Sequence, residues 1–404
     1  MKNFFVVCLA VAALLLAGCV PAGEMLRFNP ESYDALRIGV VLPLSGPQAE
    51  YGKKMLNGAR FAADELNNHR GHFGRPVELV VFDTASTGDG AAQAFQSAVS
   101  AGVVGVVGGY STVEAQGITP LAKVHRVPLV IPMATGDDDV IGGNSFVFRA
   151  VFTDKQQSEM IAGYMKYYRN IKRIVVTVSA DPGDIYSRNV ARDVADSFRK
   201  LGGEVSSFME ISPASPEKAL GESVAYAPDA ILLPFEGKLA ARYYKILREA
   251  GYNGLICGPD SWDDPVFFKT LQGIKSPGNS FYTAFYSDEA SHIEFKNFRE
   301  NFRKKRYYFP GSCEIQTFDA VNMLLAGFGN NGNTLRKFNR NWTALRKYTG
   351  AAAVYTMLPK NRIDRTIYIN RIGTAPEDGR RLVPRNIAGL QYSRLQDYAM
   401  DVED

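Results

Sequence analysis

Cysteine is scarce: the 404-residue chain has 4. Cys8 lies inside an apolar leader and Cys19 at its end, so the folded part can form at most one disulfide, between Cys257 and Cys313. A disulfide-stapled scaffold is excluded. Cys257 sits in the apolar stretch Gly254-Leu-Ile-Cys-Gly258, where it reads as a small core residue. An excess of one charge is missing too: 46 Lys and Arg face 42 Asp and Glu, leaving net +4 and no broad footprint for nucleic acid. Long apolar runs are absent beyond the N-terminus, and none reaches the roughly 18 uncharged residues of a spanning helix. What is there, 46% apolar and 22% charged residues, is an ordinary globular composition. At roughly 150 residues per domain the length gives two or three domains.

The N-terminus has one Lys, then 14 uninterrupted apolar residues from Phe4 to Ala17, ending in Leu16-Ala17-Gly18-Cys19. This pattern is a secretory signal and not a spanning helix. Small residues at the cleavage point let a peptidase close over an extended backbone, and the Cys19 thiol is a nucleophile open to alkylation by diacylglycerol. The motif resembles a bacterial lipobox. Two or three acyl chains on one residue anchor stably where one would not. Val20 follows the cysteine in place of Asp, which by resemblance to known sorting rules favours the outer membrane where the cell has one. The expected location is the periplasm or cell envelope, with 1–18 as signal and 19–36 as a tether holding Pro21, Gly23 and Pro30.

From residue 37, strands expected at 38–44, 77–82, 103–107 and 128–131 alternate with helices at 51–68, 89–101 and 114–124. Such alternation argues for a doubly wound parallel sheet covered on both faces. It restarts after 146–150: helices at 155–168, 185–201, 216–225 and 238–250 interleave with strands at 173–178, 204–209, 230–235 and 255–257. A strand at 280–286 precedes amphipathic helices near 289–305 and 315–328 that lack their own β-α series. They read as the chain returning to the first lobe, with a late strand at 367–372 near the second. The expected fold is α/β, with two doubly wound parallel-sheet lobes joined by a multi-strand hinge. The first lobe is 37–152 plus 284–352, the second 153–283 plus 353–390, and 391–404 form a C-terminal tail. Repeated crossing between lobes predicts a hinge at the floor of a cleft.

Patterns that imitate enzyme motifs fail on spacing. Gly46 to Gly52-Lys53-Lys54 has five residues between glycines where a phosphate loop needs four, and Lys where the metal-ligating hydroxyl belongs. In Gly109-Tyr-Ser-Thr-Val113, Val113 replaces the second glycine of a nucleophile elbow. The glycines of 102–109 depart from the dinucleotide spacing. His69 and His72 fall at a helix end, and Asp137, Asp138 and Asp139 lack the spaced oxygens of a calcium loop. Arg303-Lys-Lys-Arg306 complements a helix C-terminus. The chain shows no nucleophile–base pair, metal site or cofactor loop, so we expect no enzyme, metal or cofactor.

Ligands of doubly wound sheets bind beyond the carboxyl ends of the strands. Three first-lobe segments meet there: Leu42-Pro-Leu-Ser-Gly46, Gly108-Gly-Tyr-Ser-Thr112 and Pro132-Met-Ala-Thr-Gly136. Exposed amides at a helix start, with the Ser111 and Thr112 hydroxyls, predict a carboxylate site that needs no arginine.

The stretches Ile38 to Gly52, Asn57-Gly-Ala-Arg-Phe-Ala-Ala-Asp-Glu-Leu-Asn67, Gly74-Arg-Pro-Val-Glu-Leu-Val-Val-Phe-Asp-Thr84 and Val103 to Gly109 resemble the leucine/isoleucine/valine-binding family of type I periplasmic binding proteins. That family supplies the solute receptors of ATP-driven importers, and the resemblance spans residues 37–375. It implies a small zwitterion, an amino acid or similar, as ligand, a membrane permease as partner, and hinge closure. It further implies that the carboxylate meets Ser111, Thr112, Ala134 and Thr135, and that the ammonium meets Asp154 and the acid of Gly258-Pro259-Asp260. Tyr186 and the flanking aromatic Tyr51 match family positions. Asp154 also reads as a helix N-cap. Phe235-Glu236 and Cys313 depart from the family, and Glu236 either adds an acid to the pocket, favouring a polar or cationic ligand, or faces solvent at a helix start. Envelope lipoproteins that activate wall synthases resemble the same family, so a scaffold without transport is the alternative.

Overall fold

The structure, a computed structural model, describes residues 35–395 apart from 275–276, 290–291, 330–337, 339–340, 343–346, 359, 376–380 and 394. The signal, Cys19, nearly all of the tether and most of the tail 391–404 lie outside the described residues. Among the described residues, no helix is long and apolar enough to cross a membrane.

The first sheet is parallel and runs β2 (Val77–Asp83), β1 (Leu36–Leu42), β3 (Gly105–Gly108), β4 (Leu129–Ile131), β5 (Val147–Arg149). Its inner strands are apolar runs buried on both faces, as helical crossovers require. β1 stops at Leu42 instead of the expected 44 because the Asp83 carboxylate accepts the N–H groups of Leu44 and Ser45 and turns the chain. The second sheet begins with β6 (Arg173–Ser179), β7 (Glu204–Ile211), β8 (Ala230–Leu232), β9 (Leu255–Gly258) and β10 (Ser280–Ala284), all parallel in the order β7-β6-β8-β9-β10. Four strands absent from the sequence reading in whole or part extend it: β11 (Lys347–Thr349), β12 (Val354–Met357), β13 (Ile363–Thr374) and β14 (Leu382–Gln391). β13 pairs antiparallel with β12 at its start, with β10 further on, and with β14 from Thr366 to Thr374. The helix expected at 155–168 is α-helical over Asp154–Gly163 and relaxes into a π-turn over Tyr164–Tyr168.

Helix Ser312–Phe328 returns to the first core, where Val321 and Leu324 pack with Ile38 and Val40 of β1. Ala353, Tyr355, Met357 and Ile363 join the same core. This corrects the expected assignment of 353–363 to the second lobe: their apolar side chains are buried beneath the first sheet, and the chain passes over only beyond Ile363. Ile367 and Ile369 then pack in the second core with Val176 and Leu232. Cys313 and Cys257 are free, buried thiols, one in each core.

The chain passes between lobes near residues 150–153, 285–287 and 364–366. Arg365, 1% exposed, ties these passages together. Its Nη1 donates to the Ala150 carbonyl at 2.7 Å and its Nη2 to the Phe285 carbonyl. The guanidinium also lies 5.0 Å from the centre of the Tyr355 ring, and the Phe152 and Phe285 rings stack at 4.7 Å beside it. Arg365→Ala removes the donor to the Phe285 carbonyl and leaves that of Ala150 with Gln316 Nε2 at 3.3 Å, so it should cost about 2 kcal/mol or more, read from the shift in a denaturant midpoint. A shift under about 1 kcal/mol would remove Arg365 as the tie.

Candidate ligand-binding cleft

Each sheet reverses strand order beside its lobe's first strand: β1 lies between β2 and β3, and β6 between β7 and β8. Such reversals open a crevice beyond the strand ends. From the first, the chain enters helices Ala49–Asn68 and Thr112–His125; from the second, helices Ile185–Lys200 and Gly237–Glu249. The crevices face one another across a cavity of about 600 Å³. Tyr51, Ser111, Thr112, Ala134, Thr135, Tyr186, Glu236 and Asp260 all line it, from opposite sides.

Asp154 is not part of this lining. It is fully buried, as the first residue of its helix, and its N–H donates to the Thr135 carbonyl at 2.8 Å. The cap of that helix is Thr153, whose hydroxyl accepts from the Gln156 N–H, so Asp154 is not the N-cap either. Its Oδ1 accepts from Gln157 Nε2 at 3.0 Å. The Gln157 carbonyl in turn accepts from the Asp260 N–H at 3.2 Å and the Thr283 hydroxyl at 3.0 Å. Asp154 therefore stands behind Asp260, joined to it through one amide. Burial pushes the Asp154 carboxyl up to about 8, opposed by the Thr135 hydroxyl and reinforced by the charge of Asp260.

Part of the amide cluster expected to await a carboxylate at the start of helix Thr112–His125 is already engaged. The Tyr110 and Ser111 N–H groups donate to Oε2 of the buried Glu114 at 3.0 and 3.3 Å, and Ser111 Oγ accepts from the Glu114 N–H. This reciprocal capping box closes the helix on itself. The Ser111 and Thr112 hydroxyls, with the N–H groups of Thr112 and Val113 that the capping box does not engage, are what the first-lobe wall offers an anion, while the Thr135 hydroxyl is turned to Asp154.

The opposite wall is acidic. The Tyr186 hydroxyl donates to Asp260 Oδ1 at 2.7 Å. Glu236 precedes helix Gly237–Glu249 but makes no side-chain cap bond; its carboxylate stands exposed in the cleft, walled in by both lobes. Asp263 and Asp264, which sequence reasoning missed, reach the other lobe: Ser312 Oγ donates to Asp263, and the Tyr51 hydroxyl donates to Asp264 Oδ2 at 2.6 Å. The only hint in the sequence was the acid density of Asp260-Ser-Trp-Asp-Asp264. Gly237, at φ +27°, lets Asp264 approach: a β-carbon there would lie 2.5 Å from Asp264 Oδ2. Desolvation pushes Asp260 up to about 6, and desolvation with neighbouring acids pushes Asp263 and Glu236 up to about 7. Among the described residues, no group of three or more His, Cys, Asp and Glu is placed to hold a metal ion.

A family model described as periplasmic binding protein matches residues 35–379. The chain is 26% identical over 330 residues to a Leu/Ile/Val-binding protein homolog of Brucella melitensis, covering 80% of this chain and 86% of that one. It is 32% identical over 264 residues to the Leu/Ile/Val-binding protein BraC3 of Rhizobium johnstonii, covering 64% and 70%. The substrate-binding protein LivJ from Streptococcus pneumoniae, solved with isoleucine, superposes with a TM-score of 0.75 at 22% identity over 88% of this chain and 99% of that one. The chain belongs to the periplasmic binding protein family. Its fold is the two-lobed type I architecture of these structures.

Carboxyls titrate near 4 in an unfolded chain. Where folding raises that pKa, the folded state holds the proton more tightly, so stability is fully present below about pH 4 and lost as pH rises to about 7. The ligand-free protein should lose thermal midpoint across this window. Asp263→Asn should raise the midpoint at about pH 8 and leave it unchanged at about pH 4; equal midpoints at both would remove Asp263 as a source.

Proposed function

We propose that this protein is the extracytoplasmic solute receptor of an ATP-driven importer, and that it holds an amino acid or similar small zwitterion between its lobes by hinge closure. The observation that carries the reading is the pair of facing crevices, with hydroxyls on one wall and carboxylates on the other, around one cavity. The Leu/Ile/Val-binding relatives and the isoleucine-bound LivJ support the ligand class. In this reading the ligand carboxylate meets Ser111 and Thr112 beside Ala134 and Thr135. Its ammonium meets Asp260, steadied by Tyr186 and backed by Asp154, while Tyr51 flanks the side chain. Bringing both charged ends into a closed cleft is costly unless each is paired, so closure follows the ligand. The protein binds and delivers, without catalysing a reaction, and its partner is the membrane permease.

Lipid on Cys19 holds the receptor to the envelope, at the outer membrane where one exists, through the tether. This part rests on the lipobox resemblance alone. Cys19→Ser should move the protein from the membrane fraction to the soluble fraction; unchanged fractionation would end the anchor.

Calorimetry against the twenty amino acids tests the receptor reading. Binding of at least one is expected, and Asp260→Ala should weaken it about 10- to 100-fold, the worth of one charged hydrogen bond. An intact fold that binds none would favour an envelope scaffold.

A further inference from the structure

The cleft has a second pole. Around Asp260, Tyr186 and the hydroxyl wall lies the end assigned above to the α-ammonium and α-carboxylate. Also in the lining, Tyr51 and Tyr110 stack at 5.1 Å with their planes 14° apart. Glu236 and Asp264 stand close enough that, after burial, their charges help to raise both phenol pKa values. An apolar side chain set against this pole would take water from the Glu236 carboxylate, which stands exposed in the cleft, and give it no counter-charge. The protein supplies none: among the described residues Lys54 is the one basic side chain in the lining, and it lies beside the Glu314 charge. An aromatic pair next to a carboxylate suits an alkylammonium or guanidinium, since an outer ring face attracts the cation and the acid accepts its hydrogen bonds.

We infer that the ligand is an amino acid whose side chain ends in a cation, held between the Tyr51–Tyr110 pair and the Glu236 carboxylate. The inference rests on the receptor reading above and narrows its substrate class. It also accounts for the departure at Phe235-Glu236: the acid stands in the cleft and does not cap its helix.

Titration of the full-length protein with L-lysine, L-arginine, L-norleucine and cadaverine separates the two claims. Norleucine matches the aliphatic part of lysine without the terminal charge, and cadaverine lacks the carboxylate. Lysine or arginine should bind at least about tenfold more tightly than norleucine, and Glu236→Gln should cut that ratio about tenfold. Norleucine binding as tightly as lysine would overturn the cationic ligand and leave the zwitterion reading standing. Cadaverine binding as tightly as lysine would overturn the amino-acid assignment in both. A lysine preference unchanged in Glu236→Gln would remove Glu236 from the pole, and a folded protein that binds no probe would overturn inference and receptor reading together.

Discussion

A single buried guanidinium makes the two-lobed arrangement possible. The passages between the lobes bring backbone carbonyls into a site without water, where each needs a donor. Arg365 sits on the third passage and donates to carbonyls of the other two, to Phe285 and, together with Gln316 Nε2, to Ala150. Lysine could not do this: the planar fork reaches two acceptors at once and its faces rest on the rings of Phe152, Phe285 and Tyr355. Its charge is offset within the first core by Asp319, which accepts from the N–H groups of Ala351 and Ala352 and from the Tyr355 hydroxyl. The passages are thus tied to one another as well as to the strands they belong to, a geometry that suits a hinge.

The cleft above this junction is built on the opposite principle. Arg365 is supplied with acceptors by two passages, whereas four acids of the cavity, Asp260, Asp263, Asp264 and Glu236, have no basic partner among the described residues. Asp260 receives a phenol, Asp263 a serine hydroxyl, Asp264 another phenol, and Glu236 stands without a cap bond. A hydroxyl steadies a buried carboxylate without cancelling its charge, so the wall retains a demand for positive charge that folding has not met. Stability sacrificed in this way is common where a protein must hold a ligand.

Much of this was legible in the residues. The β-α alternation, the return of helix Ser312–Phe328 to the first core and the placing of Ser111 at a strand end follow from periodicity, glycine punctuation and the rule that ligands sit beyond carboxyl edges, whereas Tyr186 and Asp260 came from the family resemblance alone. The C-terminal strands were obscure because Asp364 and Arg365, buried in β13, read as polar breaks in an apolar pattern. Their meaning appears only when carbonyls distant in sequence arrive beside them. The occupied amides of Tyr110 and Ser111 were missed for a local reason: Glu114 at the third helical position is a capping-box residue, and that motif predicts a self-satisfied helix start as readily as an open one. Asp154 was assigned to the ammonium on motif position, yet Gln157 holds it one layer back.

The asymmetry of the two walls decides what closure depends on. Were the hydroxyl wall to carry an arginine, the acids opposite would find their counter-charge in the protein and the jaws would close as well empty as loaded. No arginine lines the cavity among the described residues, and Lys54 is balanced by Glu314 on its own side. Among the described residues, hydroxyl–carboxylate contacts span the gap from Tyr51 to Asp264 and from Ser312 to Asp263. These align the jaws but leave Glu236 and Asp260 facing an enclosed space of like charge. A ligand shifts a conformational equilibrium only by its differential affinity for the two states. On the receptor reading proposed above, that difference is largest for a molecule bringing positive charge to the acid wall and an anionic group to the hydroxyls, since it offsets the repulsion among the acids that closing would increase.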